Sequence, residues 1–386
     1  MKFKRQLFGF MDMLRFKKMV PTRRKMLANG PSTPLKKTYR VNEQAKRLHP
    51  GYMEVELVNK RVLSETMTEL TFKRVDSEAF PYFRAGQYVT IQAHIKKSLV
   101  SRPYSIVSTP KDALENKLVL GIENCGFMSS YLCNESKIGD HFMMLEPAGE
   151  FHFETLRDKK DIVCIAGGSG ITPFMSLANA KVQGIEDYNM TLFYGARDLK
   201  HLAYKEELDE LSKKGIKVIY VLSEEKQDNM EYGFINKELI KKYVDPHSST
   251  FFLCGPQAMY NFVIPEIKTF NLEVKDIHKD ASCCTDLEIK KPRTFNIKVH
   301  LQDELYNIKA SENETLLVAL ERANLNVPSK CRAGGCGFCH AKLVEGEFLI
   351  AKDRDGRRLA DKKFGFIHPC VTYPLSDMEI IVNEAY

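Results

Sequence analysis

No stretch of the 386-residue chain approaches the roughly 18 uninterrupted apolar residues that a membrane-spanning helix needs. Nor does it open like a secretory signal: the apolar residues of the basic N-terminus are broken up by Lys, Arg and Asp12, and no small-residue cleavage site comes after them. Ten cysteines without such a signal do not read as a disulfide scaffold; reduced thiols and metal ligation in the cytoplasm are the expectation. Internal repeats and low-complexity tracts are absent. There is no zinc-finger spacing, no basic helix followed by heptads and no aromatic–basic sheet motif, so nucleic acid is not an expected partner.

The charge that is present is unevenly placed. Residues 1–50 hold fourteen Lys or Arg against Asp12 and Glu43, a local +12, which leaves −5 for the rest of a chain whose total is +7. The mildly acidic body therefore carries a basic arm, residues 1–52. Phe3, Leu7, Phe10, Met11 and Leu14 recur at roughly helical spacing, and Pro21, Asn29-Gly30-Pro31 and Pro34 punctuate the remainder of the arm. Such an arm can dock on a membrane surface or an acidic partner. It can equally be a helix packed on the body, or a tail.

Length predicts two to three domains, and the periodicity divides them. Residues 53–157 hold short alternating or β-branched segments (Val55–Leu63, Glu69–Val75, Gln87–Ala93, Leu118–Ile122) separated by Gly and Pro, the pattern of a small antiparallel β-barrel. Across 158–276 the buried strands Asp161–Ala166, Met190–Tyr194, Lys217–Leu222 and Thr250–Cys254 alternate with helical or turn segments, which predicts an α/β, Rossmann-like parallel sheet. Residues 277–293 are polar and read as a linker. Residues 294–386 form an α+β unit, with a hairpin around Gln302-Asp303-Glu304 and a helix over 314–323.

The strongest chemical signal is Cys331, Cys336 and Cys339 in C-x4-C-x2-C spacing, with Cys370 31 positions on. This is plant-type [2Fe–2S] spacing. Gly334, Gly335 and Gly337 let backbone amides approach the inorganic sulfides. Structural zinc is the alternative, but it usually shows two paired-cysteine knuckles, and Cys370 has no nearby mate except His368. Residues 294–386 resemble the plant-type ferredoxins, which implies a β-grasp fold; the apolar helix Leu316-Leu317-Val318-Ala319-Leu320 before the cluster loop belongs to the match.

Arg102-Pro103-Tyr104-Ser105, followed by Gly126-Phe127-Met128-Ser129, resembles the flavin-binding pair of the ferredoxin–NADP reductase family. The resemblance implies Arg102 on a phosphate, Tyr104 along the isoalloxazine, Ser105 at flavin N5, and Gly126 opening a short helix that holds the pyrophosphate with Ser129 and Ser130. Pro147-Ala148-Gly149-Glu150-Phe151 looks like the family's FAD form, with an aromatic near the adenine; FMN is the alternative. Gly167-Gly168-Ser169-Gly170-Ile171-Thr172-Pro173 after a buried strand suits a dinucleotide phosphate site. With Tyr194-Gly195-Ala196-Arg197 and Cys254-Gly255-Pro256 it matches the same family, in which the last segment lies beside the nicotinamide. Cys254 then orients hydride transfer without attacking covalently. An acid and an aromatic often come after the nucleotide domain in relatives with a C-terminal ferredoxin; here Asp280 is the acid and the aromatic is missing.

The implied protein is an NAD(P)H-dependent reductase. It passes electrons from NADH or NADPH through FAD to the [2Fe–2S] cluster and on to a partner redox protein such as an oxygenase. Glu224 and Glu225 would disfavour a 2′-phosphate, which points to NADH. Cys283 and Cys284 read as plain thiols, and Cys125, Cys133 and Cys164 as packing residues. A redox-sensing module docking through its basic arm is the rival function.

Overall fold

The computed structural model describes residues 9–30, 39–280, 286–350 and 352–383. The chain divides into Met1–Arg47 and Leu48–Tyr386. In the first unit one helix, Gly9–Ala28, runs through Pro21, where a break was expected. Proline in a helix interior costs about 3 kcal/mol, and the Met, Leu, Lys and Arg around it are good helix formers that oppose that cost. From Leu14 onward its side chains are exposed. A second helix, Arg40–Leu48, has Glu43 in its first turn and Lys46 and Arg47 in its last, each complementing the helix dipole. Phe3, Leu7, Pro31, Pro34, Cys283 and Cys284 lie outside the described residues.

Residues 52–148 form a six-stranded antiparallel barrel: β1 (Tyr52–Val62), β2 (Met67–Arg74), β3 (Tyr88–Ile95), β4 (Ser98–Ser105), β5 (Leu118–Glu123) and β6 (His141–Ala148), in the order β4-β3-β6-β1-β2-β5. Ile106, just past β4, bridges to Leu120 of β5 and draws the two edge strands together. Alternate residues face inward, so Val55, Leu57, Leu70, Phe72, Val89 and Ile91 are fully buried in one core. Each such side chain contributes roughly 2 kcal/mol.

The second sheet is wholly parallel: β7 (Asp161–Gly167), β8 (Asn189–Ala196), β9 (Lys217–Leu222), β10 (Glu231–Tyr232), β11 (Ser249–Cys254) and β12 (Ile277–Lys279), ordered β10-β9-β8-β7-β11-β12. The sheet thus takes in Ile277–Lys279, residues whose polarity had placed them in a linker. Apolar clusters cover both faces, as parallel strands require. The strand order reverses at β7, and ligands of open α/β sheets bind at the carboxyl ends of strands beside such a point.

The last unit pairs β13 (Thr294–Leu301) with β14 (Glu304–Ser311) through a turn whose Gln302 has φ +55°. With β15 (Ala341–Glu345), β17 (Phe366–Ile367) and β19 (Met378–Val382) they form a five-stranded sheet, ordered β14-β13-β19-β15-β17, packed on the helix Leu316–Arg322. A ribbon of β16 (Phe348–Leu349) and β18 (Tyr373–Pro374) stands beside it.

Candidate cofactor sites

A cleft of about 340 Å³ opens between the barrel and the parallel sheet. Arg102, Pro103, Tyr104 and Ser105 line it from β4; Gly126, Phe127, Met128 and Ser129 from the turn after β5; and Gly170, Thr172, Cys254, Gly255, Tyr260 and Asp280 from the other sheet. One residue expected here, and one expected at the dinucleotide turn, are elsewhere. Ser130 donates its hydroxyl to Asn124 Oδ1 at 2.7 Å and does not line the cleft. Pro173 is buried in the first turn of the helix Thr172–Val182. The Ser129 hydroxyl lines the cleft but also serves its own turn, accepting from the N–H groups of Cys125 and Gly126 at 3.1 and 2.8 Å.

Phe151 departs further from expectation. Its ring meets Phe174 and Phe252 edge-on at centroid distances of 5.8 and 5.5 Å and is buried at the junction of barrel and sheet. Packing two domains together takes the ring that the resemblance placed near an adenine.

A second cavity, about 820 Å³, lies over the carboxyl ends of β7, β8 and β9. Gly167, Gly168, Ser169, Arg197, Gly255 and Pro256 line it, together with Ser223, Glu224, His201 and Phe234. Strand register explains why these motifs meet: Ala166 pairs with Cys254 across β7–β11 and with Tyr194 across β7–β8. The approach is tight enough to demand glycine, since a Cβ at Gly170 would stand 2.0 Å from the Cys254 carbonyl oxygen.

Glu123, Ser169 and Gly255 line both cavities, so the two spaces adjoin. The Ser169 hydroxyl donates to Glu123 Oε2 at 2.6 Å, from the glycine turn to the barrel. Sequence reasoning passed over Glu123 and Tyr260, because a strand-end acid and a helix tyrosine carry no motif. Beside them the Cys254 thiol donates to Asp280 Oδ2 at 3.3 Å. Burial, with the Asp280 carboxylate adding to it, pushes that thiol well above its ordinary pKa. It stays protonated and suits positioning rather than nucleophilic attack.

The four C-terminal cysteines converge as two pairs. Cys336 lies against Cys331, and their interaction lowers the Cys331 thiol while raising that of Cys336. Cys370 lies against Cys339 in the same way, and that interaction and burial raise its thiol. Backbone N–H groups point at the sulfurs: Ala333 N–H reaches Cys331 Sγ at 3.4 Å and Phe338 N–H reaches Cys336 Sγ at 3.5 Å. Gly334, at φ +79°, has no room for a Cβ, which would meet the Arg354 carbonyl oxygen at 2.5 Å. Among the described residues no three Cys, His, Asp or Glu side chains are grouped to hold one metal ion. Two neighbouring thiol pairs ringed by amides fit a cluster of two irons, with one pair on each.

Residues 54–153 match the oxidoreductase FAD-binding domain, 164–264 the oxidoreductase NAD-binding domain, and 299–375 the 2Fe-2S iron–sulfur cluster binding domain. The chain is 30% identical to the carnitine monooxygenase reductase subunit of Acinetobacter baumannii over 292 residues, 74% of this chain and 84% of that protein. The chain belongs to the FAD-, NAD- and 2Fe-2S-binding reductase family. It is also 27% identical to the NADH oxidoreductase HCR of Escherichia coli, spanning 82% of this chain and 94% of that one. A flavohemoprotein of Oceanobacillus iheyensis is 28% identical over 239 residues, and the chain spans only 59% of its length. The solved structure of phthalate dioxygenase reductase shares the fold, with a TM-score of 0.65 at 22% identity over 86% of this chain and 98% of that one. This reductase is thus an NAD(P)H oxidoreductase that transfers electrons through FAD to a [2Fe–2S] cluster, in an antiparallel barrel, a parallel α/β sheet and a ferredoxin-like domain. Among the described residues no helix is long and apolar enough to cross a membrane.

Proposed function

We propose that this reductase supplies electrons one at a time to a separate metalloenzyme of the oxygenase type, the partner class that the names of its carnitine and glycine betaine monooxygenase relatives carry. The observation that most supports the assignment of residues is the adjoining of the two cavities through Glu123, Ser169 and Gly255. A nicotinamide held in one cavity can face a flavin held in the other. When bound, FAD accepts hydride from the nicotinamide and releases its electrons singly to the cluster.

The chain's own residues orient and shield. Gly167, Gly168, Gly170 and Arg197 hold the dinucleotide, while Cys254, Gly255 and Pro256 set the nicotinamide edge. Asp280 holds the Cys254 thiol in one orientation. Arg102, Tyr104, Ser105 and the turn at Gly126 to Ser129 hold the flavin, with Ser105 placed for its N5. Cys331, Cys336, Cys339 and Cys370 ligate the irons. Residues 53–157, 158–280 and 294–386 are the three functional domains, with the linker starting after Asp280. Glu224 beside Arg197 in the larger cavity supports NADH, because a 2′-phosphate there would meet a carboxylate. None of the eight described cysteines forms a disulfide, which supports a reducing, cytoplasmic setting.

The arm serves partner contact. Its first helix carries six Lys or Arg and exposed Phe16, Met19, Met26 and Leu27, suited to an acidic surface.

Anaerobic NADH titration of the cofactor-loaded protein tests the central reading. Flavin and cluster absorbance should both bleach, and cytochrome c should be reduced in turnover. NADH that bleaches neither chromophore would overturn it.

A further inference from the structure

The ferredoxin domain meets the flavin barrel along β3 and β4, and the contact converges on one buried carboxylate. Glu321, on the helix Leu316–Arg322, is only 4% exposed. Its Oε1 accepts from the Ser101 N–H at 2.9 Å and from Arg332 Nη1 at 2.7 Å, and its Oε2 accepts from Arg102 Nη1 at 2.9 Å. Arg102 lines the flavin cleft. Arg332 is the residue directly after the cluster ligand Cys331 and is buried, in the left-handed region at φ +54°. On the other side of Cys331, the Thr90 hydroxyl of β3 donates to the Lys330 carbonyl oxygen at 3.1 Å. The segment 330–332 is thereby fastened to the barrel on both flanks of the cysteine.

Charge and geometry both single out Glu321. A carboxylate this buried is costly unless its oxygens are satisfied, and here all three partners lie on the path between the two cofactor sites. One carboxylate is shared between two guanidiniums, one from each domain. With Arg102 Nη1 also donating to the Ser101 carbonyl oxygen at 2.7 Å, the guanidinium is held in one orientation, its other donors available to a phosphate.

We propose that Glu321 is the positioning residue for electron transfer between the cofactors. It clamps the cluster loop to the arginine of the flavin site and so sets the approach of Cys331 to the flavin. This role rests on the proposed assignment of the flavin and cluster sites. In each transfer one electron leaves reduced FAD and one enters the oxidised cluster. Two transfers, with the cluster reoxidised by the acceptor metalloenzyme after each, discharge one hydride, with one proton released to solvent.

The test uses the full-length protein loaded with FAD and cluster, mixed anaerobically with NADH in a stopped-flow spectrometer. In Glu321→Gln the flavin-bleaching phase should keep its rate, and the cluster-bleaching phase should slow about tenfold, as a loosened alignment of the two reacting groups does. The electron paramagnetic resonance spectrum of the reduced cluster should be unchanged. Amide exchange at Ser101, whose N–H the carboxylate holds, should accelerate. A purely structural role would lower cofactor content or stability without separating the two phases. Wild-type rates in both phases, with flavin and cluster content intact, overturn the proposal. If Glu321→Gln does not fold, Thr90→Val removes only the hydroxyl contact to Lys330. The same phase should then slow by a smaller factor, and no change would again overturn the idea. Failure of NADH to bleach the wild-type flavin would instead sink the underlying site assignment.

Discussion

The Cys254 thiol and the Asp280 carboxylate are hydrogen bonded across 3.3 Å, joining the end of β11 to the residue just past β12. The Tyr260 hydroxyl reinforces the pair, accepting from the Gly255 N–H at 3.2 Å and donating to the Asp280 carbonyl oxygen at 3.2 Å. The geometry holds the thiol at the junction of the two cavities. Replacing Asp280 with Asn should therefore slow flavin reduction by NADH about tenfold, as small losses of alignment do, with flavin and cluster content unchanged. Iodoacetamide should modify Cys254 slowly near neutral pH in the wild type, because the raised thiol stays protonated. Rapid alkylation there would contradict the positioning role.

Gly170 faces the backbone of the same strand end, and a methyl group there would press on the Cys254 carbonyl oxygen. Gly170→Ala should cost about 2 kcal/mol in urea denaturation, the usual penalty for overpacking. It should also raise the KM for NADH more than it lowers kcat, because the displaced turn carries Ser169 and Gly168.

Charge in the larger cavity sets nucleotide choice. Glu224 lies beside Arg197, its N–H donating to the Arg197 carbonyl oxygen at 2.9 Å. Glu224→Gln should raise kcat/KM for NADPH about tenfold relative to NADH, since one like-charge contact is removed. An unchanged ratio would move selectivity away from this residue.

The cluster ligands make separable predictions. Cys336→Ser should remove the visible absorbance of the cluster and abolish cytochrome c reduction. Flavin bleaching by NADH should survive, because the cleft is built from the other two domains. Equal loss of both would contradict the electron order.

Acid should loosen the junction of barrel and nucleotide sheet. Burial alone would raise the Asp158 carboxyl, but hydrogen bonds from His278 and Arg157 outweigh it and hold the group well below the usual carboxylate range. A depressed acid contributes its full stability above its unfolded pKa of about 3.9. That contribution is lost as pH falls through the folded value. Urea midpoints measured against pH should show Asp158→Asn weaker than wild type at pH 7, with the gap closing below about pH 4.

Local chemistry was legible in the residues themselves. Alternation with period two marked the barrel strands, and continuous apolar runs marked the buried parallel strands. The cysteine spacing and its glycines identified the cluster loop, since those residues act within one short segment and leave their pattern in the order of the chain. Tertiary structure alone decided how the pieces are shared. Phe151 went to the domain junction because burial against Phe174 and Phe252 was available there. Ile277–Lys279 became a strand because the edge of β11 offered unpaired backbone groups. Glu321, an ordinary helix acid by sequence, joins Ser101, Arg102 and Arg332. Contacts spanning some 220 residues leave no periodic trace; they exist only once independently folded surfaces meet and a buried charge must find its partners.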